Sequence, residues 1–131
     1  MRHQFQAIRD AGFDGVINLA LPTSDFAIED EGSIVTKLGM SYFHMPVDFG
    51  RPTTNDFQKF CGVLQATGDR PMFIHCAANL RVSAFLFLYR VMVEGTPEHE
   101  ALLDLHAIWH PDPVWHVFIQ SQLRSQSKQN L

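Results

Sequence analysis

The residues of this chain best suited to do chemistry are His75, Cys76 and Arg81: a histidine-cysteine pair, with an arginine five positions after the cysteine. A cysteine attacks in its thiolate form, and a planar guanidinium can hold two oxygens of an oxyanion at once. The stretch around them reads as strand, tight loop and helix. Met72, Phe73 and Ile74 carry a buried strand towards Cys76, and an apolar run from Val82 to Val93 forms a helix beyond it. The loop between them lies at a helix N-terminus, where backbone N–H groups without helical partners converge and the dipole adds about half a positive charge. An anion is the natural guest there, and a thiol in that field is expected to be a thiolate. The N–H groups of Ala77, Ala78, Asn79, Leu80, Arg81 and Val82, with the Arg81 guanidinium, would form the cradle. Such loops need a positive φ, usually glycine's, and this one has no glycine; Asn79 is the residue best able to take that place.

Elements alternate before Cys76 and are helical after it. Residues 3–11 are predicted as a short helix ending at Gly12, and Gly15 to Ala20 as a buried strand broken by Pro22-Thr23-Ser24. A helix within residues 26–38 leads to Gly39, a second strand covers Tyr42 to Met45, and a loop runs from Val47 to Pro52. Thr53 or Thr54 caps the next helix, whose Phe57, Phe60, Cys61 and Leu64 fall at i, i+3, i+4 and i+7 and form a core stripe. Gly95 stops the helix after the cysteine loop. Thr96-Pro97-Glu98 opens another, with Thr96 as cap and proline at the first helical position; Leu102, Leu105, His106 and Trp109 mark its buried side. Pro111 and Pro113 interrupt it, Trp115, Phe118, Ile119 and Gln122 line a last helix, and residues 124–131 read as a frayed polar tail. Strands separated by helices imply right-handed crossovers. The fold class is therefore α/β: one domain over residues 1–131, with a mostly parallel central sheet flanked by helices and a helical C-terminal half. Ile74, apolar on both sides of the pleat, is placed on a central strand. Cys76 and Asp48 then both lie at carboxyl ends of strands, where α/β proteins put chemistry.

Composition narrows the function classes. The 131 residues are 46% hydrophobic and 18% charged, ordinary for a globular protein with one core. No run reaches the 18 or so apolar residues of a membrane span, and the N-terminal residues have no apolar signal core, so a membrane partner and export are not indicated. A net charge of −4 offers no basic field for nucleic acid. Two cysteines make neither a disulfide framework nor a zinc quartet and suit a reducing compartment, so the expected location is the cytoplasm. No cofactor is implied. His99, His106 and His110 share a helix face, but no cysteine or carboxylate completes a metal site there. Trp109 and Trp115 read as core anchors and Cys61 as a small core residue.

His75-Cys76-Ala77-Ala78 resembles the start of the signature of the cysteine-based tyrosine and dual-specificity phosphatase superfamily. More closely, Gly12-Phe13-Asp14-Gly15-Val16-Ile17-Asn18-Leu19 and His44-Met45-Pro46-Val47-Asp48-Phe49 are similar to segments of a bacterial phosphatase-like subgroup, and the likeness covers roughly residues 5–120. It implies the compact phosphatase α/β fold. Four residues lie between Cys76 and Arg81, one fewer than the superfamily pattern, and this shortened loop is similar in length to that of rhodanese-type sulfurtransferases. Family members have more chain before the first helix, including an early strand; an edge here would be open or filled by a partner, and the second case gives a dimer.

Phosphoryl transfer to a thiolate needs an in-line nucleophile, donors on the equatorial oxygens and an acid for the leaving group. Cys76 is the nucleophile, Arg81 and the loop N–H groups are the donors, and Asp48 is the favoured acid, in a Phe-Gly-Arg-Pro loop able to close over substrate. The bland alternative for Asp48 is a turn cap at Gly50-Arg51. Asp56 is its rival, although a place in a helix's first turn already accounts for it. Ser83 would hydrogen-bond the sulfur, and His75 would orient the loop through backbone hydrogen bonds and support the thiolate. The reading is a cysteine-dependent phosphatase acting on a phosphomonoester, such as phosphotyrosine or phosphoserine, through a phosphocysteine, with a phosphorylated substrate or small oxyanion as its partner. Its rivals are a rhodanese-like sulfurtransferase carrying a persulfide on Cys76 and a non-catalytic phosphate-binding module.

Overall fold

β1 (Gly15–Asn18), β2 (Ser41–His44) and β3 (Met72–His75) form a parallel sheet in the order β2-β1-β3, in a computed structural model that describes residues 2–23 and 27–129. The register pairs Asn18 with both His44 and His75, so the three carboxyl ends stand level. Among the described residues six helices accompany the sheet: α1 (Arg2–Asp10), α2 (Glu31–Lys37), α3 (Thr54–Thr67), α4 (Leu80–Met92), α5 (Glu98–Ile108) and α6 (Pro113–Gln129). This is the predicted α/β class, and every described element after β3 is a helix.

Strand residues alternate between two cores, as the two-residue period requires. Ile17, Phe43 and Ile74 face a large cluster built with α3 to α6, around Phe60, Phe85, Leu88 and Trp115. Val16, Tyr42 and Phe73 face a smaller one with Phe5, Val35 and Met40 from the α1 and α2 side. This corrects the placement of Ile74 on a central strand. β1 is the central strand, with Val16 and Ile17 wholly buried, whereas β3 pairs on one side only and its residues are half-buried. The apolar run of β3 reports that helices cover both its faces, not that strands flank both its edges.

Local chemistry sets most boundaries. Gly12 takes a φ of +100° and ends α1. Thr53 caps α3 in a reciprocal box: its Oγ1 accepts from Asp56 N and its own N–H donates to Asp56 Oδ2, both at 3.1 Å. Phe57 and Phe60 of the predicted stripe are buried and Cys61 and Leu64 pack against the same cluster. Trp115, Phe118, Ile119 and Gln122 are all buried, as expected of α6.

Two expectations fail. Pro97, not Thr96, stands at the N-cap of α5, and the Thr96 N–H donates to Arg90 O at 2.8 Å, closing the end of α4 instead. His106 is exposed, because α5 turns only Ala101 and Leu105 fully inward. Of the tail expected over residues 124–131, α6 takes in the chain as far as Gln129, and residues 130–131 lie outside the described residues. No described helix is long and apolar enough to cross a membrane.

Candidate active site

β3 ends at His75, Cys76 to Asn79 form the turn, and α4 begins at Leu80. Asn79 adopts φ 60°, ψ 12°, the one non-glycine residue with positive φ among those described, as the absence of glycine from the loop predicted. Its Oδ1 accepts from Cys76 N at 3.3 Å and its carbonyl from Ser83 N at 3.1 Å, so one residue ties the start of the turn to the first turn of the helix.

Arg81 follows on α4 and is 8% exposed. Its Cζ lies 5.5 Å from the centroid of the Phe49 ring, yet Nε and Nη1 are buried without a hydrogen-bond partner. Buried donors on a cation are costly to leave unpaired, so a fold that keeps them so is shaped for an acceptor from outside the chain. Phe49, Cys76, Ala77, Ala78, Leu80 and Arg81 line a recess of about 210 Å³ beside them. Phe49 is held from behind: its carbonyl accepts from Trp115 Nε1 at 2.8 Å, and its ring lies 5.8 Å from those of Trp109 and Trp115. A second recess of about 450 Å³ opens on the α1 and α2 side of the turn, shares Cys76 and Ala77 with the first, and is walled by Phe5, Ile8, Phe73 and the polar Asn18, Glu31 and His75.

The other predicted residues take varied places. Val82 is buried in the larger core, leaving only its backbone for a ligand. Ser83 does not bond the sulfur: its hydroxyl donates to Leu80 O at 2.6 Å and accepts from Trp109 Nε1 at 3.0 Å. The His75 ring meets a side chain rather than backbone, with Nε2 2.8 Å from Oε2 of Glu31. Asp48 is exposed and outside the lining of both recesses, in a turn where its Oδ1 accepts from Gly50 N at 2.9 Å and its carbonyl from Arg51 N at 3.0 Å. Asp56 is engaged in the α3 cap. The Cys61 thiol is pushed up to about 11, chiefly by burial, as befits a packing residue. The His106 and His110 rings lie 4.4 Å apart between centroids and are tilted, but among the described residues no cluster of three or more metal-ligating side chains exists.

Phe49 and Glu31 carry no local sequence signal for this role. Phe49 looks like any apolar loop residue, and an acid at a helix start is ordinarily read as compensating the dipole.

A cysteine on the turn between a parallel strand and a helix, with an arginine on that helix's first turn, is an arrangement that fits the cysteine-based phosphatase class of α/β proteins. Residues 4–114 match the family model described as DSP-PTPase phosphatase fused to NAD+ kinase, and the chain belongs to that family. Among solved structures it is similar to a DUF442 candidate phosphatase of Shewanella putrefaciens CN-32, with 30% identity and a TM-score of 0.84 over 95% of this chain and 82% of that one. It also shares its fold with the kinase-associated phosphatase KAP (12% identity, TM-score 0.83, 96% and 77% of the two chains). PTPMT1 in complex with PI(5)P has the same fold (17%, 0.74, 98% and 88%). A comparison with curated proteins finds no match.

Proposed function

We propose that this chain hydrolyses a phosphomonoester through a covalent phosphocysteine on Cys76. The observation that carries the reading is the Arg81 guanidinium, buried beside Cys76 with Nε and Nη1 unpartnered, in a recess of about 210 Å³ that suits a phosphoryl group. The Cys76 sulfur attacks phosphorus, the bond to the leaving oxygen breaks, and that oxygen takes a proton. Water then attacks phosphorus, giving up a proton as the new P–O bond forms and the S–P bond breaks, and phosphate and the thiolate are released. Arg81 and the N–H groups of Ala77, Ala78, Leu80 and Val82 hold the equatorial oxygens, with Asn79 keeping the turn in shape. The larger recess beside Cys76, about 450 Å³, has the size of an organic ligand and takes the rest of the substrate. Phosphoester binding in the fold neighbour PTPMT1 supports the substrate class. Asp48 is the acid in this reading, because Phe49, its immediate neighbour, already lines the smaller recess, and Asp56 is held in the helix cap.

One observation favours a second reading. The turn has only four residues between Cys76 and Arg81, the length seen in sulfurtransferases, in which the thiolate would take a sulfane sulfur and pass it to an acceptor. Parallel assays of aryl phosphate hydrolysis and of thiosulfate-to-cyanide transfer, each with Cys76→Ser as control, decide between them. Phosphate release that Cys76→Ser abolishes is expected; Cys76-dependent sulfur transfer without phosphate release would reverse the order.

A further inference from the structure

We infer that Glu31 is a positioning residue for Cys76: its carboxylate holds the His75 imidazole as the Nε2–H tautomer and so aims the strand end from which the thiol projects. The inference rests on Cys76 being the nucleophile. Glu31 is 4% exposed in the first turn of α2. Compensation of a helix dipole needs no burial, and a solvated acid does it without desolvation cost. A carboxylate taken out of water needs partners, and here His75 Nε2 stands 2.8 Å away, 44 residues off in sequence, with the Tyr42 hydroxyl as a second neighbour. A carboxylate only accepts, so Nε2 carries the proton.

The pair is supported all round. The hydroxyl of Tyr42, which accepts from Asn18 Nδ2 at 3.1 Å, is pushed up to about 12, chiefly by burial and also by the neighbouring Glu31 carboxylate. Asn18 Oδ1 in turn accepts from Ala20 N at 2.9 Å. The imidazole is flanked by the rings of Phe5 and Phe73, with centroids at 6.4 and 6.0 Å. Its backbone is fixed as well, the His75 carbonyl accepting from Leu19 N at 2.9 Å. The next atom along the chain is Cys76 N, which donates to Asn79 Oδ1. Cys76 is thus gripped on both sides, by the Glu31–His75 pair before it and by the Asn79 turn after it, and loss of either grip lets the sulfur wander.

The test reads tautomer and thiol reactivity at one pH. In the native chain, long-range ¹⁵N–¹H spectra should find His75 as the Nε2–H tautomer. Glu31→Leu should slow iodoacetamide labelling of Cys76 and turnover of an aryl phosphate by about 10- to 100-fold, while vanadate affinity stays within about threefold, because a misaimed nucleophile costs rate and the phosphoryl cradle is elsewhere. Glu31→Gln, whose amide oxygen still accepts from Nε2–H, should recover most of the loss. An Nδ1–H tautomer in the native chain overturns the inference, whether or not Glu31→Leu folds. So does a folded Glu31→Leu with unchanged labelling, or a Gln variant as slow as the Leu variant. Labelling that responds to Glu31 in a chain that hydrolyses no phosphate would sustain the positioning role and reject the phosphatase reading.

Discussion

Replacing Arg81 by methionine should have opposite effects on stability and on function. Arg81→Met keeps most of the stem's volume and removes two buried nitrogens that have no partner in the fold. Each unsatisfied buried donor costs about 1–3 kcal/mol, so about 2–6 kcal/mol of penalty is removed. Against it stands the loss of the cation over the Phe49 ring, worth about 0.5–2 kcal/mol. The balance is a gain of about 0–5.5 kcal/mol in an anion-free buffer, with an increase in Tm of roughly 3–5 °C for each kcal/mol at this chain length. Phosphate or vanadate should stabilise the wild type instead, by about 2.7 kcal/mol at one hundred times its Kd, and should leave the variant unmoved. Calorimetry of both proteins over an anion titration makes the comparison. If Arg81→Met is less stable than the wild type without anion, and the wild type ignores added phosphate, the guanidinium is not waiting for an acceptor and the reasoning from its burial is refuted.

Asp48 and Asp56 should separate cleanly: Asp48→Asn is expected to lower aryl phosphate turnover by about 10²–10⁴-fold and to flatten the alkaline limb of its pH profile, with the smallest loss for the weakest-base leaving groups. Asp56→Ala should cost about 0.5–2 kcal/mol in urea denaturation and leave that profile intact, since its carboxylate serves the α3 cap; the reverse pattern would move the acid to the other loop. Asn79→Val forces a β-branched residue to φ 60°, so vanadate affinity should be lost together with about 2 kcal/mol or more of stability. Asn79→Gly should keep the turn and lose only the hydrogen bond to Cys76 N, and equal damage from both variants would mean that backbone geometry is not what Asn79 supplies. Because burial raises the Cys61 thiol to about 11, it stays neutral at pH 8, and mass spectrometry after brief iodoacetamide treatment of the native chain should find the label on Cys76. Cys61 should react appreciably only as the pH climbs towards that value, and early labelling of Cys61 at pH 8 would contradict its assignment to the core.

Much of the molecule was legible before any fold was known, and the legible part is local. The 3.6-residue stripe of Phe57, Phe60, Cys61 and Leu64, the Thr53 cap, the glycine stop after α1 and the left-handed Asn79 each depend on interactions within a few residues. The same holds for the pairing of Cys76 with Arg81 on one helix N-terminus: the strand-to-helix turn brings them together whatever surrounds them. Where two local rules competed, composition misled. Thr96 looked like a cap because Pro97 and Glu98 followed it, but its N–H was already drawn to Arg90 O at the end of α4. Ser83 looked free to bond the sulfur until α5 brought Trp109 to its hydroxyl, 26 residues further along the chain.

By itself, then, the sequence determined the element types, the parallel α/β class and the thiol-and-guanidinium turn, because hydrophobic period, capping and positive φ are properties of short segments. Tertiary structure alone decided which strand is central, since helices on both faces make an edge strand as apolar as an interior one. It also decided what stands around Cys76. Phe49 is held by Trp115 across 66 residues and His75 by Glu31 across 44, and neither partner carries any mark of the other in its own neighbourhood. Such contacts come from the packing of whole elements, where the cost of burying a carboxylate or an indole N–H is offset only by a group that the chain's path happens to bring within reach.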